Sequence, residues 1–388
     1  MIDFFLFLSA LLAVFKPDII NVLELESIKT ITWVVLLIDM AILLYKLKAR
    51  LELHELKIVE NTALFWFICL IPTLMYFQNI AGIVSLMLKT IVLGLMCYYA
   101  SKKRTSFQKL ILSSVLVFIG ELAFNLLFIY ILPNGSFLEP TKNMSGEWVY
   151  TYLLGSKTNF TAFALSGIAI AGLWEIDKKK RTGILSILVT GLCLISMYKA
   201  HCTIGIALMI LMFVPLLKTS FINIKLKETK KIFVIVLVIL VAIVLILLPE
   251  INVDDLQKIT HARFLIWVEA VKLFINKPVF GYGMQLNHDL IWLYGSWRYS
   301  HNEFLEILLY GGLSALIIYI WIIKSGIDYV KKASKEISTN LYIYLVYYTI
   351  AQMYEAKFTN LNLFFVIFIH IYYVKMSYKL NWNKQEEL

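Results

Sequence analysis

The stretch RYSHNEFLEILLYGG, residues 298–312, places an arginine, a histidine, an asparagine and two glutamates at the start of an apolar run. Ser300 and Glu303 have the S-x-x-E spacing of a capping box, in which two side chains satisfy the first free amides of a helix. That accounts for two residues and leaves His301, Asn302 and Glu306 over. Their types offer proton exchange near neutral pH and hydrogen bonding to a polar ligand. Upstream, THARFLIWVEAVKLFINKP (260–278) sets Arg263 one helical turn before Trp267. Phe264, Trp267, Val271 and Phe274 recur there at helical spacing with Arg263, Glu269 and Lys272 between them, and Pro278 stops the pattern. The one-sided, short stripe predicts an amphipathic helix lying at a membrane interface rather than a span. FGYG (280–283) then gives a turn through which backbone approaches a ligand or a neighbouring helix closely.

The elements that must carry these residues are set by composition. The chain is 60% hydrophobic and 16% charged, with a mean hydropathy of +0.77, which excludes a soluble globular domain. Apolar stretches of roughly 15 to 22 residues suit a hydrocarbon core of ~30 Å. They fall at about 2–15, 31–45, 61–77, 80–100, 110–132, 159–174, 183–198, 202–217, 232–249, 303–323, 340–354 and 359–377. The expected fold is therefore an all-α, polytopic bundle of about 12 membrane helices, one membrane domain over residues 1–388. The first segment lacks a basic leader and a small-residue cleavage site, so it reads as a retained span. Cys69, Cys97, Cys193 and Cys202 lie in or beside spans and imply neither disulfides nor a metal site.

Connections on one side of the bundle, with the C-terminal tail, hold 24 Lys and Arg, and those on the other hold 11. Basic loops stay cytoplasmic, so both termini are expected in the cytoplasm and the chain in the cytoplasmic membrane. The net charge of +10 then serves topology and attraction to anionic lipids, with no basic domain to suggest nucleic acid. Two outer connections are long: 133–158, and 250–302 between spans 9 and 10, which ends on the opening stretch. No internal repeat is evident and Pro72 is the clear proline within a span, so the paired broken helices of many transporters are not expected.

RFLIWVEAVKLFINKPVFGYG followed by SHNEFLEILLYGGLSALIIYIW resembles the signature of the O-antigen ligase and polysaccharide polymerase family. An Arg and a Trp four residues apart precede a Pro and a Gly-rich turn, and a His-Asn pair opens a span bearing two glycines. KTNFTAFALSGIAIA (157–171) and KAHCTIGIAL (199–208) are weaker echoes. The second is a departure, since Lys199, His201 and Thr203 stand where the family has Arg beside Ser or Thr, and Lys lacks the bidentate fork of Arg.

The resemblance implies glycosyl transfer at the outer membrane face, from a polyprenyl-diphosphate-linked oligosaccharide to an acceptor sugar, with no nucleotide, cofactor or essential metal. It implies His301 as the base or acceptor-orienting group and Arg263 as the holder of the leaving diphosphate. Asn302, Arg298, Glu306, Lys199, Tyr282 and Trp267 would bind substrate. Membrane lipids and a chain-length regulator protein are the further partners expected, with no nucleic acid. A polymerase of repeat units is favoured over a ligase passing a finished glycan to a lipid core or protein, and over a flippase or other transporter. Each residue also has a plainer reading. Arg263 would snorkel from its helix, and Arg298, between Trp297 and Tyr299, fits an interface anchor better than a ligand. Asn302 would assist the cap, and Glu306 would pair with Arg298. Lys89, Glu121 and Asn125 lie inside spans, where polar groups need partners, and a Lys89–Glu121 pair is the simplest arrangement.

Overall fold

The computed structural model describes residues 2–17, 20, 25–48, 52, 55–76, 79–132, 141–142, 148–149, 151–156, 159–179, 183–200, 202, 205–210, 263–284, 291–293, 296–298, 300–333, 335–354 and 361–386. Most of them are helical: α1 (Ile2–Val14), α2 (Glu26–Leu47), α3 (Lys57–Met75), α4 (Ile80–Ala100), α5 (Arg104–Ile131), α6 (Asn159–Lys179), α7 (Ile184–Lys199), α8 (Arg263–Asn276), α9 (Glu303–Val330), α10 (Lys335–Tyr354) and α11 (Leu361–Glu386). Ten of the twelve expected spans coincide with helices. Segment 232–249 lies outside the described residues, and so does most of 202–217. Five helices among the described residues are long and apolar enough to cross a membrane: α2, α3, α4, α5 and α9. The protein is a multi-pass membrane protein, and the full count of twelve is not established by these helices.

Helices dominate because a bilayer offers no water to unpaired amides, so each segment must satisfy its own backbone. Hydroxyls inside the helices follow the same rule. Thr62, Thr73, Thr90 and Ser114 each donate to the carbonyl four residues back, at 2.7–2.8 Å. The loops add what an all-α reading omits, three antiparallel ribbons: β1 (Thr141–Lys142) with β2 (Trp148–Val149), β3 (Thr151–Tyr152) with β4 (Gly155–Ser156), and β5 (Ile291–Leu293) with β6 (Ser296–Arg298). The β3–β4 hairpin turns inward, burying Tyr152 and Leu154, and the Leu154 amide donates to Asn125 Oδ1 at 3.0 Å. Asn125 is thus matched to loop backbone. Glu121, one turn earlier, is buried with neither carboxylate oxygen hydrogen-bonded, so the expected Lys89–Glu121 pair is not formed.

Charged residues gather at one end. Lys46 meets Asp3 at 2.6 Å, Lys102 meets Glu55 at 2.7 Å, Lys375 donates to the Glu55 carbonyl, and Asp177 accepts from Tyr373 and Gln108. The chain's residues 3 and 375 therefore share an end of the bundle, in agreement with an even number of crossings. Reporter fusions after residues 180 and 280 are expected to report cytoplasm and exterior respectively. The same compartment for both would overturn the alternation.

The helix α9 is not straight. The Phe304 and Tyr319 rings meet edge-to-face at 6.2 Å, yet residues fifteen apart in a straight helix are separated by roughly 22 Å along its axis. The break is at Gly312, whose φ of 65° and ψ of −163° are non-helical. Residues 303–311 form a short arm folded toward the longer arm, 313–330, which at roughly 27 Å is the part able to cross. The expected continuous span 303–323 is corrected accordingly: Gly312 allows a backbone conformation that ends one helix and starts another.

Candidate active site

Residues 277–284 follow α8 as a loop that docks into the break of α9. There the Leu309 and Tyr310 carbonyls lose their helical donors, and the Leu313 and Ser314 amides lose their acceptors. The loop supplies all four partners: Tyr282 N–H to Leu309 O (2.6 Å), Gly283 N–H to Tyr310 O (3.0 Å), Leu313 N–H to Pro278 O (2.8 Å) and Ser314 N–H to Val279 O (3.3 Å). Its far side rests on α3 at Pro72, where the Met284 amide donates to Thr73 Oγ1 at 2.9 Å, and the Met284 carbonyl accepts from Asn79. Gly281 and Gly283 have positive φ, and a Cβ on Gly281 would lie 2.4 Å from Leu309 O. The broken helix α9 thus faces α3, which carries Pro72 within an unbroken helix. The gap between them is filled by the chain's own loop instead of an open ligand site.

On this frame, α8 packs through Ile266 and Ala270 against Leu305, Leu309 and Ile291. The predicted stripe of Phe264, Trp267, Val271 and Phe274 is not the buried face. Val271 is 43% exposed and continues through Ile275, Val279 and Phe280 into an apolar surface suited to the membrane interface. Pattern alone could not choose between two apolar faces of one helix. The helix also reaches the opening stretch, because Trp267 Nε1 donates to the Ser300 carbonyl at 2.9 Å. Arg263, one turn earlier on the same face, is thereby brought to the same corner of the protein.

The start of α9 differs from the expected capping box. Asn302 is the N-cap, its Oδ1 accepting from the Phe304 and Leu305 amides at 3.0 and 3.2 Å, while its Nδ2 donates to Met353 O on α10. Ser300 bonds Asn302 backbone on both sides. The reach-back expected of Glu303 is made by Glu306, whose buried Oε1 accepts from the Ser300 amide. The reason lies at His301, which has φ 51°. A left-handed residue reverses the chain between Ser300 and the helix, so the cap falls on the next hydrogen-bonding side chain. Histidine is among the residues that tolerate this region, but a strained non-glycine position is an observation from which a functional role is argued.

The structure therefore brings Arg263, Trp267, His301, Asn302 and Glu306 to one corner. Asn302 and Glu306 shape it: the amide caps α9 and the carboxylate holds Ser300. Tyr282 is also structural, with its hydroxyl donating to Leu273 O at 3.0 Å and its ring lying 4.4 Å from the Lys277 ammonium. Lys199 ends α7, exposed, with its ammonium 5.1 Å from the Tyr130 ring centroid. No contact among the described residues joins it to His301. Arg298 closes β6, its backbone paired with Ile291, and its side chain lies outside the described residues, as do His201 and Thr203. The residues that reasoning from sequence passed over are Gly312 and Pro72–Thr73, although the Gly-Gly pair and the proline within a span were visible signals.

Residues 148–320 match the family described as O-antigen ligase. The match runs from β2 through α8, the docked loop and His301 into the long arm of α9, so the resemblance to the O-antigen ligase family holds across the corner just described. It supports ligase- or polymerase-type chemistry in broad terms. No curated protein matches the chain significantly.

Proposed function

We propose that the protein is a polysaccharide polymerase joining polyprenyl-diphosphate-linked oligosaccharide repeat units at the outer face of the cytoplasmic membrane. In this reading residues 1–388 form one membrane domain, with 133–158 and 250–302 as its outer loops. The observation that carries it is the left-handed His301 at the head of α9, tied through Ser300 to Trp267 on the helix that bears Arg263. The acceptor hydroxyl attacks the anomeric carbon of the donor, and His301 takes its proton. The bond from that carbon to the diphosphate breaks, and the leaving electron pair settles on phosphate oxygens that Arg263 holds in a bidentate grip. The exposed apolar face of α8 would seat this helix where a polyprenyl diphosphate presents its head group. A lipid core or protein acceptor would use the same groups, which makes transfer of a finished glycan the second reading.

The test is elongation of purified lipid-linked repeat units by the purified protein. Arg263→Lys keeps the charge and loses the fork, and should slow turnover; Arg263→Ala should slow it further, with a folded protein in both cases. Parental turnover in Arg263→Ala would return that residue to a snorkelling role. Transfer to a lipid-core acceptor without elongation would favour the ligase.

A further inference from the structure

At the opposite end of α4 from Asn79 and the docked loop, about 30 Å away along that helix, a pocket of about 270 Å³ opens between α2, α4 and α5. It is lined by Lys46, Leu47, Tyr99, Lys102, Lys103 and Ser106. Asp3 lies on Lys46 at 2.6 Å, and Glu55 and Glu52 lie at 2.7 and 3.7 Å from Lys102. Burial is the largest single influence on the Lys102 pKa and lowers it, but the hydrogen bonds and charge interactions with Glu55 and Tyr98 together raise it above the ordinary lysine value. No described residue forms an ion pair with Lys103, the N-cap residue of α5, which makes no side-chain cap bond. The first amides of that 28-residue helix therefore point toward the pocket's side of the bundle without a capping oxygen, a setting that favours an anion.

The position of the pocket specifies the anion. It lies where three helices end, at the level of lipid head groups. The adjoining helix α2 is the least buried of the five long apolar helices, with 22% of its apolar window buried. Leu37 and Leu44 on α2 are 49% and 41% exposed, a surface along which acyl chains would lie below a bound head group. We propose that this pocket binds the phosphate of an anionic phospholipid from the leaflet opposite the candidate active site. Asp3 and Glu55 fix two of the lysines in place, and Lys103, with no ion pair to a described residue, joins the α5 amides as the positive group offered to the phosphate.

The full chain, purified in neutral detergent, is titrated by native mass spectrometry with phosphatidylglycerol, phosphatidylcholine and inorganic phosphate. Phosphatidylglycerol should bind in preference to phosphatidylcholine. Lys103→Gln should weaken it about fivefold, the usual worth of one lysine at an anionic surface, and Lys103→Arg should restore it. Lys331→Gln, which removes an exposed lysine held by Asp328 and not lining the pocket, should leave binding unchanged. Equal binding of the two lipids, or unchanged binding in Lys103→Gln, overturns the proposal. Displacement of the lipid by inorganic phosphate at similar concentration overturns the lipid assignment in favour of a soluble phosphate.

Discussion

Turnover of lipid-linked substrate should fall about 10²- to 10⁴-fold in His301→Gln and His301→Gly, the usual contribution of a positioned general base. The two variants separate chemistry from folding. His301 has φ 51°, and a left-handed conformation costs a residue with a Cβ about 1–2 kcal/mol, whereas glycine adopts it freely. His301→Gly should therefore be at least as thermostable as the parent protein while being nearly inactive, with single lipid-linked repeat units accumulating in cells. A drop in both stability and turnover in His301→Gly would mean that the imidazole serves packing. Parental turnover in either variant would take the base role from His301.

The largest structural effect is expected at Gly312. Its φ of 65° with ψ of −163° lies in a region open essentially to glycine alone, costing about 1–3 kcal/mol for other residues. A Cβ there would also sit 2.3 Å from the carbonyl carbon and oxygen of Val279, backbone atoms that cannot yield without lifting the loop out of α9. Gly312→Ala should then lose the four loop bonds together, giving a marked fall in melting temperature and no turnover. Gly191→Ala, where an added Cβ meets nothing within 4 Å, should be neutral or slightly stabilising. An active, stable Gly312→Ala protein would show that the break in α9 is dispensable.

Hydropathy made the helical segments legible because apolar length is a local property. The grouping of Arg263, Trp267 and His301 was legible through a resemblance, and the structure adds the bond from Trp267 to Ser300, the residue before His301. The cap was misread because S-x-x-E assumes that the chain enters the helix directly, and the left-handed turn at His301 moves the cap by two residues. The stripe on α8 pointed to an interfacial helix but did not reveal which face docks, because Ile266 and Ala270 meet Leu305 and Leu309 in a tertiary contact that no periodicity contains. The broken span was missed for a related reason. Glycine and apolar side chains score as membrane-compatible whether or not the backbone between them is helical, and what permits the break is a loop some thirty residues upstream.

The bond between Met284 and Thr73 bridges 211 residues, which sets a schedule for biosynthesis. At about 5–20 residues per second, α3 would be in the membrane for roughly 10–40 s before the loop it receives has been made. Thr73 can wait, because its hydroxyl donates to Cys69 O within its own helix at 2.7 Å and leaves no donor stranded in lipid. The corner around His301 is thus a late product of the ribosome's run, assembled only when α9 has emerged and can close on the loop. A nascent chain released before that point would hold its early helices without the corner that the proposed activity needs.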